Sequence, residues 1–190
     1  MSSVRGRVLV VLACLALPGP ALALPGRDAL NAARDAAGGV LGDLNAEITV
    51  HTRAFVAEYS VNDRYLIAAA AIAMRRSNSA DVCAYAGTLA ADARDSEHAL
   101  QTILHNYNVD ARLAIGPDLR RRGMLDELAA TPALTRRYLA QQVQTKKEQL
   151  ILLRRYAGDG KIEAVRQFAK RQLGRINEQL SALQRLQRQS

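Results

Sequence analysis

The residues with the greatest chemical potential are three histidines, His51, His98 and His105. A histidine performs acid–base or metal chemistry only where other donors converge on it. Asp95 and His98 stand three residues apart, which would place both on one face of a helix. Two donors do not complete a metal shell. Glu97 and His98 are adjacent, so a helix turns them to different faces. No Gly-rich phosphate loop, zinc-ligand spacing or nucleophile elbow occurs. The Glu-x-x-His pairs that hold a di-iron centre inside a helical bundle are absent as well. The expectation is therefore no catalytic set, no metal and no cofactor. Cys83 becomes the single cysteine once a leader containing Cys14 is removed, which excludes an internal disulfide. It reads as a small buried hydrophobe, with pairing between chains as the other use.

Two further polar residues draw notice because of the stripes on which they fall. Lys146 and Gln179 occupy positions where Leu or Ala is expected. A buried, unpaired ammonium is costly and must pair or lose its proton. The plainer expectation is that Lys146 lies at the edge of its stripe and reaches water with its long stem.

Those stripes come from an all-helical reading. The chain has 190 residues, 49% hydrophobic and rich in Ala and Leu, with 4% aromatics and no Trp. This is one domain's worth of helix-forming sequence with too much apolar content for disorder. Four long helical segments are expected. The first runs from about Thr52 to Arg75, with Phe55, Tyr59, Asn62, Leu66, Ala69 and Ala73 on its apolar seam. The second follows an N-cap at Ser79, with Asp81 in its first turn, and reaches Tyr107. Its seam is Val82, Ala86, Leu89, Ala93, Ser96, Leu100, Ile103 and Tyr107. The third is capped at Thr131-Pro132, ends before Gly158-Asp159-Gly160, and carries Leu139, Val143, Lys146, Leu150 and Leu153. The fourth runs from Lys161 to about Leu186 through Ile162, Val165, Ala169, Gln172, Ile176, Gln179, Leu183 and Leu186. Residues 108–130 form a long connection containing Gly116-Pro117 and a short helix over Asp118–Ala129. Four seams of this kind predict a four-helix bundle, and the long connection between helices 2 and 3 fits a ferritin-like arrangement.

The N-terminus has the pattern of a secretory leader over residues 1–23. Arg5 and Arg7 precede an apolar core, Val8 to Leu17, too short to span a bilayer. Pro18-Gly19-Pro20 breaks that core, and Ala21-Leu22-Ala23 is a small-x-small cleavage site, so export to the periplasm with cleavage after Ala23 is expected. Val11-Leu12-Ala13-Cys14 offers a second reading, a lipoprotein box at Cys14. Residues 24–50 read as an N-terminal arm, with a short helix over Asp28–Ala37 stopped by Gly38-Gly39. The bundle is assigned to residues 51–187. The net charge is +8, and removing Arg5 and Arg7 leaves 24 basic and 18 acidic residues, +6. The basic residues are spread along helices without interleaved aromatics, so no nucleic-acid partner is expected. Lys161, Arg166, Lys170, Arg171, Arg175, Arg185 and Arg188 nonetheless motivate weak contact with an anionic membrane surface or polyanion, diluted by Glu163 and Glu178.

Several pieces of sequence, in order, resemble one family. They are Phe55-Val56-Ala57, the Ala-rich run Ala68–Ala73, and Tyr85-Ala86 with Leu89 and Asp92. Tyr138-Leu139-Ala140-Gln141-Gln142-Val143 and Phe168-Ala169 with Leu173 continue the series. Together they resemble the exported ferritin-like family called domain of unknown function 4142, over residues 50–187. The resemblance implies a helical bundle exported by Gram-negative bacteria and fixes no activity. It also implies inward-facing Glu, Asp-His, His and His positions, which here are Leu66, Asp92-Ala93, Lys146 and Gln179. Only Asp92 keeps the ligand type, which implies that this member has lost the family's polar or metal centre. In its place the Lys146 ammonium is expected to supply positive charge, hydrogen-bonded to Gln179 and Asp92 as a core polar cluster. The leading functional expectation is a non-catalytic exported bundle acting through surface contacts in envelope stress or assembly, with a protein partner or self-association. A metal-binding or ferritin-like redox protein is the alternative, and binding to a polyanion is a third.

Overall fold

The computed structural model describes the backbone of residues 27–189 and the side chains of residues 51–189. The expected leader, its cleavage after Ala23 and the Cys14 box lie outside the described residues. Five helices and no strand occur among the described residues: α1 (Arg27–Arg76), α2 (Ala80–Asn106), α3 (Leu119–Ala130), α4 (Leu134–Asp159) and α5 (Glu163–Gln189). The chain divides into two compact units, residues 1–40 and 41–190. The helical bundle described below belongs to the second.

Helix ends follow local chemistry in most places. Ser79 caps α2 by accepting from the Val82 N–H, and Asp118 caps α3 by accepting from the Arg121 N–H at 2.7 Å. Two boundary expectations are corrected. Gly38-Gly39 does not stop a helix, because α1 runs on through it. Each glycine costs about 1 kcal/mol relative to Ala, too little to break a long run of helix formers. Thr131 does not cap α4 either. Standing before Pro132, it is held extended, and its N–H closes α3 on the Glu127 carbonyl at 3.0 Å. Helix α4 starts at Leu134 without a side-chain cap.

The core consists of two apolar clusters. One gathers Tyr65, Leu66 and Ala69 of α1, Val82, Ala86 and Leu89 of α2, Leu128 of α3, Leu134, Tyr138 and Leu139 of α4, and Leu183 of α5. The other gathers Phe55, Val56 and Tyr59 of α1, Leu100 and Leu104 of α2, Leu153 and Tyr156 of α4, and Val165, Phe168 and Ile176 of α5. Helices α1 and α5 therefore run from the second cluster to the first, while α2 and α4 run from the first to the second. Since α2 and α4 are parallel, the chain must return the length of the bundle between them.

The return path lies along α1. Arg53 pairs with Asp110, the Ala114 N–H donates to Ser60 Oγ at 2.7 Å, and Arg76 donates to the Leu128 and Ala129 carbonyls at 2.6 Å each. Along this path α3 sits on the first cluster and delivers Arg121 to the interior.

Two seam expectations shift. On α2 the buried residue near the C-terminus is Leu104, with Ile103 half-buried and Tyr107 65% exposed. An ideal helix drifts about 20° per heptad, so a strict heptad pattern loses its face over this length. On α4, Gln142, Thr145 and Gln149 are fully buried while Val143 and Leu150 are only half-buried. The polar residues, not the branched apolar ones, point to the bundle axis there.

Candidate functional site

Between the two clusters the interior turns polar at the same level on every long helix. Asn62 and Asp63 come from α1, Ser96 and Glu97 from α2, Thr145, Lys146 and Gln149 from α4, and Gln179 from α5. All are buried. Burial takes such a layer out of bulk water, so its polar groups depend on one another for hydrogen bonds.

Lys146 sits in this layer at 3% exposure. The expectation that it reaches water along its stem is overturned, since α5 and α1 close over the face it occupies. Burial lowers the Lys146 pKa, opposed by the negative charges of Asp63 and Asp92. Asp63, 1% exposed, is the matching carboxylate. Burial raises its pKa, while the charge of Lys146 and a 2.8 Å hydrogen bond from Gln149 Nε2 to Oδ1 pull it back. The other carboxylate oxygen, Oδ2, is buried without a hydrogen-bond partner. Gln179 Nε2 donates to Asp92 Oδ2 at 2.7 Å, and Arg175 approaches Asp92 Oδ1 at 3.8 Å. Of the three residues expected to cluster, the structure thus joins Gln179 to Asp92. It places Lys146 where Asp63 is its leading counter-charge, with no Lys146 hydrogen bond to either of the other two among the described residues. Leu66 and Ala93 are buried in the first apolar cluster and offer no donor atom.

A second charged site lies beside the first. Arg121, 1% exposed, reaches from α3 between α1 and α4. Its Nη1 donates to Thr145 Oγ1 at 2.8 Å, and its Nη2 donates to Glu148 Oε2 at 2.5 Å and to Asn62 Oδ1. The guanidinium also lies 5.1 Å from the Tyr65 ring centre, a cation–π distance. Burial would raise the Glu148 pKa, but the Arg120 hydrogen bond and the Arg121 charge outweigh it and hold it below the usual value. Nearby, Tyr65 OH donates to Gln141 Oε1 at 2.7 Å, and Gln141 Nε2 donates to Glu127 Oε2 at 2.9 Å. On α2, Arg64 meets Glu97 at 2.9 Å.

Sequence reasoning missed Asp63, Gln142, Thr145, Gln149 and Arg121. The first follows the seam residue Asn62 directly. Gln142 falls four before and Gln149 three after Lys146, so one-turn spacing around the buried lysine would have found both, whereas adjacent Thr145 carries no such signal. Nothing in the run Arg120-Arg121-Arg122 separates the buried arginine from its exposed neighbours.

His98 and His105 are exposed, as their places on α2 suggested, whereas adjacent Glu97 is buried. Cys83 is a half-buried free thiol near the Ser77 carbonyl, 3.6 Å away. No group of three His, Cys, Asp or Glu side chains that could hold a metal occurs among the described residues. The donor chemistry agrees. Asp63 Oδ2 is the one unengaged carboxylate oxygen beside Lys146, while Asp92 is committed to Gln179 and Arg175. A protonated ammonium at this position opposes a second cation beside it. No described helix is long and apolar enough to cross a membrane.

No curated protein and no solved structure matches the chain. Residues 43–186, well over half of the sequence, match the family described as Domain of unknown function (DUF4142), and the chain belongs to that family.

Proposed function

We propose that this protein is an exported, periplasmic, non-catalytic bundle of ferritin-like connectivity that works through its outer surface, in envelope stress or assembly. The ferritin-like reading is supported by the parallel pair α2 and α4 joined by one long return. Export is supported by the basic, apolar and small-x-small sequence of residues 1–23.

The observation that carries the non-catalytic reading is Lys146. Its ammonium occupies the polar layer at a level where a ferritin-like bundle would place metal ligands, with Asp63 supplying the opposite charge. A lysine there supplies positive charge beside buried carboxylates from within the chain, in place of an exchangeable metal ion. The fold alone would not decide between these uses. Metal content of the purified chain, measured by elemental analysis after incubation with iron, manganese and zinc, tests the reading. The expected result is less than one-tenth of an equivalent. A stoichiometric, tightly held metal would refute it.

A further inference from the structure

We infer that the outer face shared by α4 and α5 docks on an anionic phospholipid surface. This rests on the reading of the protein as a surface-acting bundle and names the surface involved. Charge is segregated among the helices. Apart from the buried Lys146, α4 and α5 together carry eleven basic and four acidic residues, whereas α2 carries one arginine and four acidic residues. The sequence alone scatters these charges along residues 134–189. The tertiary structure gathers them, because α4 and α5 run antiparallel and pack along each other.

Helical spacing then sorts the basic residues into columns. Arg136, Lys147 and Arg154 are exposed and separated by 11 and 7 residues, close to whole turns, so they share one stripe of α4. Lys170 and Arg188 are exposed and 18 residues apart, about five turns, and so share one stripe of α5. None of these five side chains has an ion-pair partner among the described residues. Glu163, on the same side of α5, is already paired with Arg166. Helix α3 covers a different side of α4, through Gln141, Thr145 and Glu148. Among the basic residues of α4 stands Ile151, 68% exposed, one turn from Lys147, Arg154 and Arg155.

An apolar residue among lysines and arginines, on two neighbouring helices whose basic columns each span about 27 Å, suits a planar headgroup layer. A duplex is met differently, by a single element entering a groove, and a single strand needs stacking aromatics, which this face lacks. Each basic residue near an anionic bilayer strengthens binding roughly fivefold.

The test is co-sedimentation of the full chain with vesicles of equal phosphatidylglycerol and phosphatidylcholine, and with phosphatidylcholine alone. Binding is expected only to the anionic vesicles, weakening more than tenfold between about 50 and 500 mM salt. The pair Lys147→Glu and Arg154→Glu should weaken it more than tenfold, and Lys147→Gln with Arg154→Gln should do so in the same direction. The pair Arg75→Glu and Arg112→Glu has the same net charge but lies off this face, and should leave binding within about twofold to threefold. Equal loss from both reversed pairs would overturn the inference, as would no binding to anionic vesicles at 50 mM salt. Tighter binding to a labelled DNA duplex than to vesicles would also overturn it and assign the face to nucleic acid. A failure here leaves the metal measurement untouched, so the two readings stand or fall separately.

Discussion

Two adjacent arginines of α3 share the Glu148 carboxylate, and the structure makes them energetically unequal. Arg120 meets both carboxylate oxygens, at 3.1 and 2.8 Å, but its side chain is 53% exposed. Arg121 meets one oxygen at 2.5 Å and is 1% exposed. Glu148→Gln keeps the shape and one acceptor oxygen but removes the charge. A buried lysine could escape by losing its proton, whereas a guanidinium cannot. Arg121 would be left as a buried cation supported by neutral groups alone, the oxygens of Asn62 and Thr145 and the Tyr65 ring among them. Breaking a buried pair from one side costs about 3–5 kcal/mol. Glu148 is 31% exposed and the amide oxygen can still accept, so the low end, about 3 kcal/mol, is expected. For a unit of this size that lowers the melting temperature by about 6–12 °C. Arg120→Ala removes a more visible contact to the same carboxylate and should cost no more than about 1 kcal/mol. Urea unfolding followed by helical circular dichroism, with linear extrapolation, measures both. A cost below 1 kcal/mol for Glu148→Gln, or an equal cost for Arg120→Ala, would refute the unequal roles assigned to the two arginines.

The polar layer should also show itself in the pH dependence of stability. Asp63, raised by burial, keeps its proton in the folded state where the unfolded chain has lost it, so stability falls as pH climbs above the usual carboxylate range. Lys146, lowered by burial, loses its proton in the folded state first, so stability recovers as pH rises toward the usual lysine range. The parent should therefore be least stable between those windows, and Asp63→Asn with Lys146→Met should flatten the dip; a dip of unchanged depth in the double variant would count against the pair. At the end of α4, a Cβ on Gly160 would meet the Tyr156 carbonyl and ring at 2.4 Å. Gly160→Ala should then destabilise by about 1–3 kcal/mol. Gly174→Ala, in open space within α5, should stabilise by about 0.5–1 kcal/mol, and thermal melts of the two variants moving in the same direction would contradict this account.

The helices themselves were legible because their signals are local. The cap at Ser79 and the Asp118 start of α3 each need only a few neighbouring residues, whereas α4 runs on through Gly158 and Asp159, past its expected end, and stops at Gly160. The seams of α1 and α5 were readable for the same reason, since periodicity at 3.6 residues marks a face without reference to its partner. The family resemblance drew on the same stretches. Lys146 and Gln179 stood out because a polar residue interrupts an apolar stripe.

What escaped was whatever depends on a partner distant in the chain. Asp63 and Lys146 are 83 residues apart, and neither residue's neighbours announce the other. The burial of Lys146 could not be settled from its stem length, because a lysine at a stripe's edge and one at its centre differ only in where the next helix lies. Gln142, Thr145 and Gln149 look like a solvated flank until α1 and α5 close over them. Arg121 is one of three consecutive arginines, and only the placement of α3 against α1 and α4 selects it. The basic columns of α4 and α5 become one face only when those helices lie side by side. Sequence determined where this chain coils and which stripes are apolar, because those choices are made within a few turns of backbone. Tertiary packing decided which charges are buried, paired or presented, because electrostatic cost depends on distance through space and on the solvent that packing removes.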